Sequence, residues 1–173
     1  MTGTKYPAAI LLHASLLLLL CGCPYEAEFP LGAVSEAKID KDLIGEWKFD
    51  PKKKDENPSI FVLCPFNDHE YVVVRRGTKG EDDIDLMRAT VTTIADAKFL
   101  SVQGIDVSSP DKKEKWAFVR YSVSSEALTI QVVEEKCIEE KIGTAADLRA
   151  FIEKNLKNKD LYDNEMVLNR IKK

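Results

Sequence analysis

Lys115-Trp-Ala-Phe-Val-Arg-Tyr-Ser-Val123, followed by Ser124 to Ala127 and then Leu128-Thr-Ile-Gln-Val-Val-Glu134, is the stretch whose reading decides the fold. The first run is rich in aromatic and β-branched residues and places Trp116, Phe118 and Arg120 on one face of a strand. Ser124 to Ala127 are small or polar and turn the chain. In the second run Leu128, Ile130 and Val132 alternate with Thr129 and Gln131, the period of two that a half-buried strand shows. The segment reads as a β-hairpin.

The same texture extends towards the N-terminus. Lys98 to Gly104 reads as a strand, joined by a tight connection at Asp96-Ala97 to the long β-branched run Ile84 to Ile94. Glu70 to Arg76 and Ser59 to Phe66 read as two more strands around a turn at Asn67-Asp68, and Asp42 to Phe49 as another, ended by Asp50-Pro51. Gly77 to Asp83 and Ser108 to Lys113 are polar connections. Towards the C-terminus the period changes. Thr144 can cap a helix running to Asn158, with Asp147 three residues on. Leu148, Phe151, Ile152 and Leu156 then share one face, and Lys154, Lys157 and Lys159 gather at the end that favours positive charge. Glu165 to Ile171 reads as a closing strand.

Eight strands with one late α-helix make a mostly β domain over residues 42–173. An antiparallel sheet of about eight strands leaves two long edges unless it closes into a β-barrel, and closure is the expected architecture. The apolar helix face needs a surface. Ser59 to Phe66 is apolar on both faces, Phe61 and Leu63 alternating with Ile60 and Val62, so the helix is expected on the outer wall near that strand. A barrel of this size is filled by side chains or holds one small ligand. Phe61, Tyr71, Phe99, Trp116, Phe118 and Tyr121 are read first as filling and second as lining a cavity.

Leu43-Ile44-Gly45-Glu46-Trp47-Lys48-Phe49 is similar to the Gly-x-Trp opening strand of lipocalins. The resemblance implies a lipocalin-like barrel in which Gly45 permits a close bend and Trp47 plugs the closed end. It implies that Arg170, late in the chain, lies over Trp47, and that the ligand is a small apolar molecule or a lipid.

The N-terminus carries an address. Ala8 to Leu20 is apolar apart from His13 and Ser15, and Lys5 precedes it. The run is shorter than the ~20 residues of a membrane span and suits the core of a signal peptide over residues 1–22. Leu20-Cys21-Gly22-Cys23 resembles the lipobox of bacterial lipoproteins. Gly22 supplies the small residue before Cys23, whereas Leu20 would stand before Cys21, so Cys23 is the expected lipid-attachment residue. The resemblance implies a protein held on a membrane by N-terminal acyl chains, in a bacterial cell envelope. Pro24 rather than Asp after the cysteine points to the outer membrane. Residues 23–41, with Pro24, Pro30 and scattered apolar residues, read as an extended tether partly laid on the domain by Phe29 and Leu31.

Charge and composition narrow the function. The formal charge is −4, and loss of residues 1–22 removes only Lys5, leaving the rest more acidic. Nucleic-acid binding needs the opposite sign, so no nucleic-acid partner is expected. Lys52 to Lys54 and Lys112-Lys113 sit among turn residues and read as solvated. His69, the one histidine beyond the leader, falls at a hairpin tip and reads as an exposed turn residue. The acidic run Glu81 to Asp85 lacks the spacing of a calcium loop, no zinc pattern appears, and no glycine loop would cradle a phosphate. No catalytic residue, metal ligand or cofactor is therefore assigned. Cys64 and Cys137 are either a disulfide or two unpaired core residues. The expected protein is a non-enzymatic envelope lipoprotein binding a small apolar ligand or lipid in its barrel. The alternative is a packed barrel serving as a protein-interaction or assembly factor.

Overall fold

The alternating runs form the strands that their patterns predict, and one short strand that no pattern announced. A computed structural model describes residues 23–51, 57–78, 84–109, 114–138, 142–163 and 165–171. It contains β1 (Glu26–Ala27), β2 (Gly45–Phe49), β3 (Ser59–Pro65), β4 (Tyr71–Gly77), β5 (Ile84–Ile94) and β6 (Ala97–Gly104). These are followed by β7 (Trp116–Val123), β8 (Ala127–Val132), the helix α1 (Ala145–Lys154) and β9 (Met166–Arg170). Strands β2 to β7 pair antiparallel in chain order. β9 then lies between β2 and β8, with Trp47 opposite Arg170 and Leu128 opposite Leu168, and β8 pairs back onto β7. The ring is a closed eight-stranded antiparallel barrel, compatible with a lipocalin-like fold.

Side chains on a strand alternate between the two faces of a sheet, so the barrel has an inner and an outer core. Inside, Trp47, Leu63, Tyr71, Val73, Met87 and Leu100 meet Val119, Tyr121, Leu128 and Leu168 in one contiguous cluster. Outside, Ile94, Phe99, Trp116 and Phe118 face the helix and the N-terminal segment. Trp116 to Val119 and Tyr121 are all buried. β7 is thus covered on both faces, as its apolar run Trp116 to Val119 shows, and so is β6 from Phe99 to Ser101.

The helix sits on the outer wall as expected, but over a different strand. Leu148 and Ile152, both fully buried, pack with Ile94, Phe99 and Phe118, on the wall of β5 to β7 rather than β3. Ile60 and Val62 on the outer face of β3 stay half-buried. Two apolar faces at β3 were a weaker signal than the aromatic outer face of β7. The helix is also shorter than its periodicity. Thr144 accepts the Asp147 N–H at 3.2 Å and donates to its carboxylate at 2.7 Å, fixing the start. At the other end Asn155 Nδ2 donates to the Phe151 carbonyl at 2.8 Å, and the last turn closes there.

The stretch expected as a tether is bound along its length. Glu26 and Ala27 pair with Ala117 and Trp116. On the other side the Tyr25 N–H reaches the Val133 carbonyl, and the Glu135 N–H reaches the Cys23 carbonyl, at 2.8 and 2.9 Å. The segment therefore fills the fork where β8 leaves β7. Leu31 is fully buried, its N–H donating to Ser101 Oγ at 3.0 Å. Composition suggested a linker, but Ala27, Leu31 and Ala37 supply widely spaced anchors that no short period reveals. The segment is a strap.

Candidate functional site

The strap ends by closing one end of the barrel. Asp40 accepts the Asp42 N–H at 3.2 Å and starts a 3-10 turn, Lys41–Leu43, that drives Leu43 into the interior. Asp40 is also a knot. Its carboxylate takes Lys98 Nζ at 2.7 Å and the Tyr121 hydroxyl at 3.0 Å, while its backbone carbonyl accepts from the Tyr71 hydroxyl at 3.0 Å. Burial alone would raise the Asp40 pKa, but the bonds from Lys98, Tyr121 and Asp42 outweigh it and hold the carboxyl below its usual range. Burial pushes the Tyr71 hydroxyl up to about 12, so it stays a donor at any physiological pH.

Below the knot lie the three residues of the Gly-x-Trp resemblance. Trp47 is fully buried and donates Nε1–H to the Leu43 carbonyl at 2.9 Å. The Arg170 guanidinium stands 4.0 Å from the centre of its ring. It also binds the carbonyls of Asp42, Ile44 and Ser125 at 2.6, 2.9 and 2.9 Å. Gly45 has φ +140°, and a Cβ there would meet Arg170 Nη1 at 2.9 Å, so only glycine lets the guanidinium in. This end is a clamp. On β4, in the cross-strand row that runs from Trp47 through Phe61, Arg75 is buried and pairs with Asp85, its Nε 2.6 Å from Oδ2.

The outer wall also carries an opening. A cleft of about 700 Å³ lies over β7 and β8, walled by the turn after the helix and by the segment leading into β9. A second cleft of about 490 Å³ continues along the same strands and shares Arg120, Gln131 and Glu165 with the first. Arg120 lies 5.2 Å from the Tyr162 ring and reaches the Leu156 carbonyl at 3.4 Å. Glu134 and Asp163 line the cleft with 3 % and 8 % of their surface exposed, whereas Lys136, Lys157 and Lys159 are exposed. Asp163 Oδ1 accepts the Val132 N–H at 2.7 Å, which pins the approach to β9 against β8. Its Oδ2 and the Tyr162 hydroxyl are buried with no hydrogen-bond partner among the described residues.

Burial pushes the Asp163 carboxyl up to about 6; the Val132 N–H opposes the shift and the neighbouring Glu134 adds to it. The folded chain therefore holds this proton more tightly than the unfolded chain. The Asp163 contribution to stability is most favourable below about pH 4 and is lost as pH rises towards 6. Asp163→Asn keeps an acceptor for Val132 and removes the charge. It is expected to gain about 1–3 kcal/mol over the parent as pH rises from 4 to 7. Urea unfolding of both proteins across that range checks this, and a constant difference would refute it.

The other sequence candidates fall elsewhere. Cys23 is exposed at the head of the strap, beside Glu134 and Glu135. The lipobox residues before it lie outside the described residues. Cys64 and Cys137 are both free thiols, Cys64 on β3 and Cys137 bonded to the Asp160 carbonyl at 2.9 Å. His69 is not a plain turn residue, for its Nδ1 meets the Ala37 carbonyl at 2.7 Å and helps hold the strap. Lys52 to Lys54, Lys112-Lys113 and Glu81 to Asp83 lie outside the described residues, and Asp85 is paired with Arg75. Of the aromatic candidates, Tyr71 and Tyr121 face inward with Phe61, whereas Phe99, Trp116 and Phe118 face outward. Among the described residues no group of His, Cys, Asp and Glu could hold a metal ion, and no helix is long and apolar enough to cross a membrane.

The cleft was not foreseen. Arg120 could be placed on the outer face of its strand from alternation, but the burial of Glu134 and Asp163 depends on where the post-helix turn lands. Comparison with protein-family models, curated proteins and solved structures finds no match to this chain.

Proposed function

We propose that this chain is a lipid-anchored, non-enzymatic protein of the bacterial cell envelope whose barrel is a rigid carrier for a binding surface on its outer wall. The observation that carries this reading is the division of the side chains. The inner faces form one packed cluster closed at one end by Leu43, Trp47 and Arg170, while the outer wall of β7 and β8 carries a polar cleft beside the head of the strap. Acyl chains on Cys23 would hold this wall close to the bilayer, since the Cys23 carbonyl is already bonded to Glu135 in the turn that follows β8.

The runner-up is a small apolar ligand or lipid inside the barrel, which the closed eight-stranded architecture favours. Native mass spectrometry of the protein purified from its own host separates the two. The surface reading expects no apolar molecule retained in the barrel, and a stoichiometric apolar ligand would overturn it. The anchor has its own test. Cys23→Ser is expected to move the protein from the membrane to the soluble fraction. A variant that still sediments with membranes after a high-salt wash would refute lipid attachment at Cys23.

A further inference from the structure

Among the described charges lining the outer-wall cleft, the two deepest are acids, half-buried Arg120 lies between floor and rim, and the exposed rim carries three lysines beside Asp160 and Glu165. Glu134 and Asp163 are more than nine-tenths buried, and Asp163 Oδ2 finds no donor among the described residues. Lys136, Lys157 and Lys159 are exposed around them. Lys136 Nζ stands 3.8 Å from Glu134 Oε2, too far for a hydrogen bond. A buried carboxylate oxygen without a donor is costly, and a donor-bearing cation relieves that cost. An anion placed at the same depth would meet two carboxylates. The complementary ligand therefore leads with a cation and trails an anion.

The kind of cation follows from the acceptors. A primary ammonium brings three N–H donors. A quaternary ammonium brings none and is recognised instead by aromatic faces, and the Tyr162 ring is already faced by Arg120. The trailing anion, held by lysines as point charges, suits a phosphate. The position of the cleft adds the source. Pro24 is bridged to Glu134, so the cleft wall adjoins the head of the strap.

We propose that this cleft binds a phosphoethanolamine group, its primary ammonium against Asp163 and Glu134 and its phosphate at Lys136, Lys157 and Lys159, and that the group is the headgroup of a membrane phospholipid. This deepens the surface reading above and rests on it.

The test titrates the full-length protein, purified in a neutral detergent, with four probes followed by calorimetry. They are soluble O-phosphoethanolamine, short-chain phosphatidylethanolamine, short-chain phosphatidylcholine and inorganic phosphate. The two ethanolamine probes are expected to bind about tenfold or more tighter than phosphatidylcholine or phosphate, the discrimination of one charge-assisted hydrogen bond. Tighter binding of the phospholipid than of the soluble group supports the lipid source. Equal affinities would overturn the lipid source while leaving the headgroup chemistry in place. Asp163→Asn is expected to weaken both ethanolamine probes by about tenfold. Lys157→Glu, at an exposed position where folding is undisturbed, should weaken them as well, with an unchanged thermal transition as control. Binding of phosphatidylcholine as tight as that of phosphatidylethanolamine, affinities insensitive to both substitutions, or no saturable binding would overturn the proposal. Failure here with an empty barrel by native mass spectrometry leaves the surface reading intact. A retained apolar ligand would remove that reading itself.

Discussion

Trp47→Ala is expected to cost about 3–5 kcal/mol of stability, the range for removing a large aromatic ring from a core that cannot collapse around the gap. Three features of the site argue against relaxation. The ring is fully buried and its Nε1–H is bonded to the Leu43 carbonyl. It lies beneath Arg170, whose guanidinium is fixed by three carbonyls from two separate segments and cannot sink into the space. Gly45, two residues upstream, is committed to a φ that suits glycine, and a Cβ there would meet the guanidinium. The substitution also removes a cation–π contact worth ~0.5–2 kcal/mol. Equilibrium unfolding in urea gives the number. A loss below about 1 kcal/mol is the size of an ordinary surface change and would mean that the clamp does not hold the barrel end.

How much of this was legible varies with the range of the interaction. The eight barrel strands were readable because alternation and turn residues are local. β5 and β6 meet at Ala95 and Asp96, one residue before the expected connection, since Ala95 takes a left-handed conformation (φ 52°) that alanine seldom adopts. The helix start was readable from Thr144 and Asp147. Its seat was not, because an amphipathic face says that it needs a partner and not which one. The strap was least legible, its two-residue strand and the widely spaced anchors Ala27, Leu31 and Ala37 leaving no period to detect. At the clamp, Gly45 and Trp47 could be singled out only through a resemblance, and Arg170 could be matched to them only by its place on the last strand. Nothing in the sequence distinguished Asp163 from the acids around it. Its burial arises where the post-helix turn, β8 and the approach to β9 converge, which is a property of the assembled wall.

Phe118→Ala should cost a similar amount, about 3–5 kcal/mol, but should distribute it differently over the molecule. Phe118 is fully buried on the outer face of β7, its ring centre 6.1 Å from that of Tyr25 on the strap, within one cluster with Leu31, Leu148 and Ile152. Its loss strikes the layer that glues strap and helix to the wall and spares the inner core, which belongs to the opposite face of the same strand. Free energies of local opening differ across a structure, and a layer held by apolar contact and a few backbone bonds opens before the full ladders beneath it. Hydrogen exchange in the native state is therefore expected to show the amides of Tyr25, Leu31 and α1 losing protection in Phe118→Ala, while those of β3 and β4 open only with the whole protein. Trp47→Ala should lower protection in both layers together, because the clamp closes the ring on which the outer layer rests. If Phe118→Ala instead lowers protection equally in β3, β4, strap and helix, the two cores unfold as one unit, and the outer layer is an integral part of the barrel rather than a covering upon it.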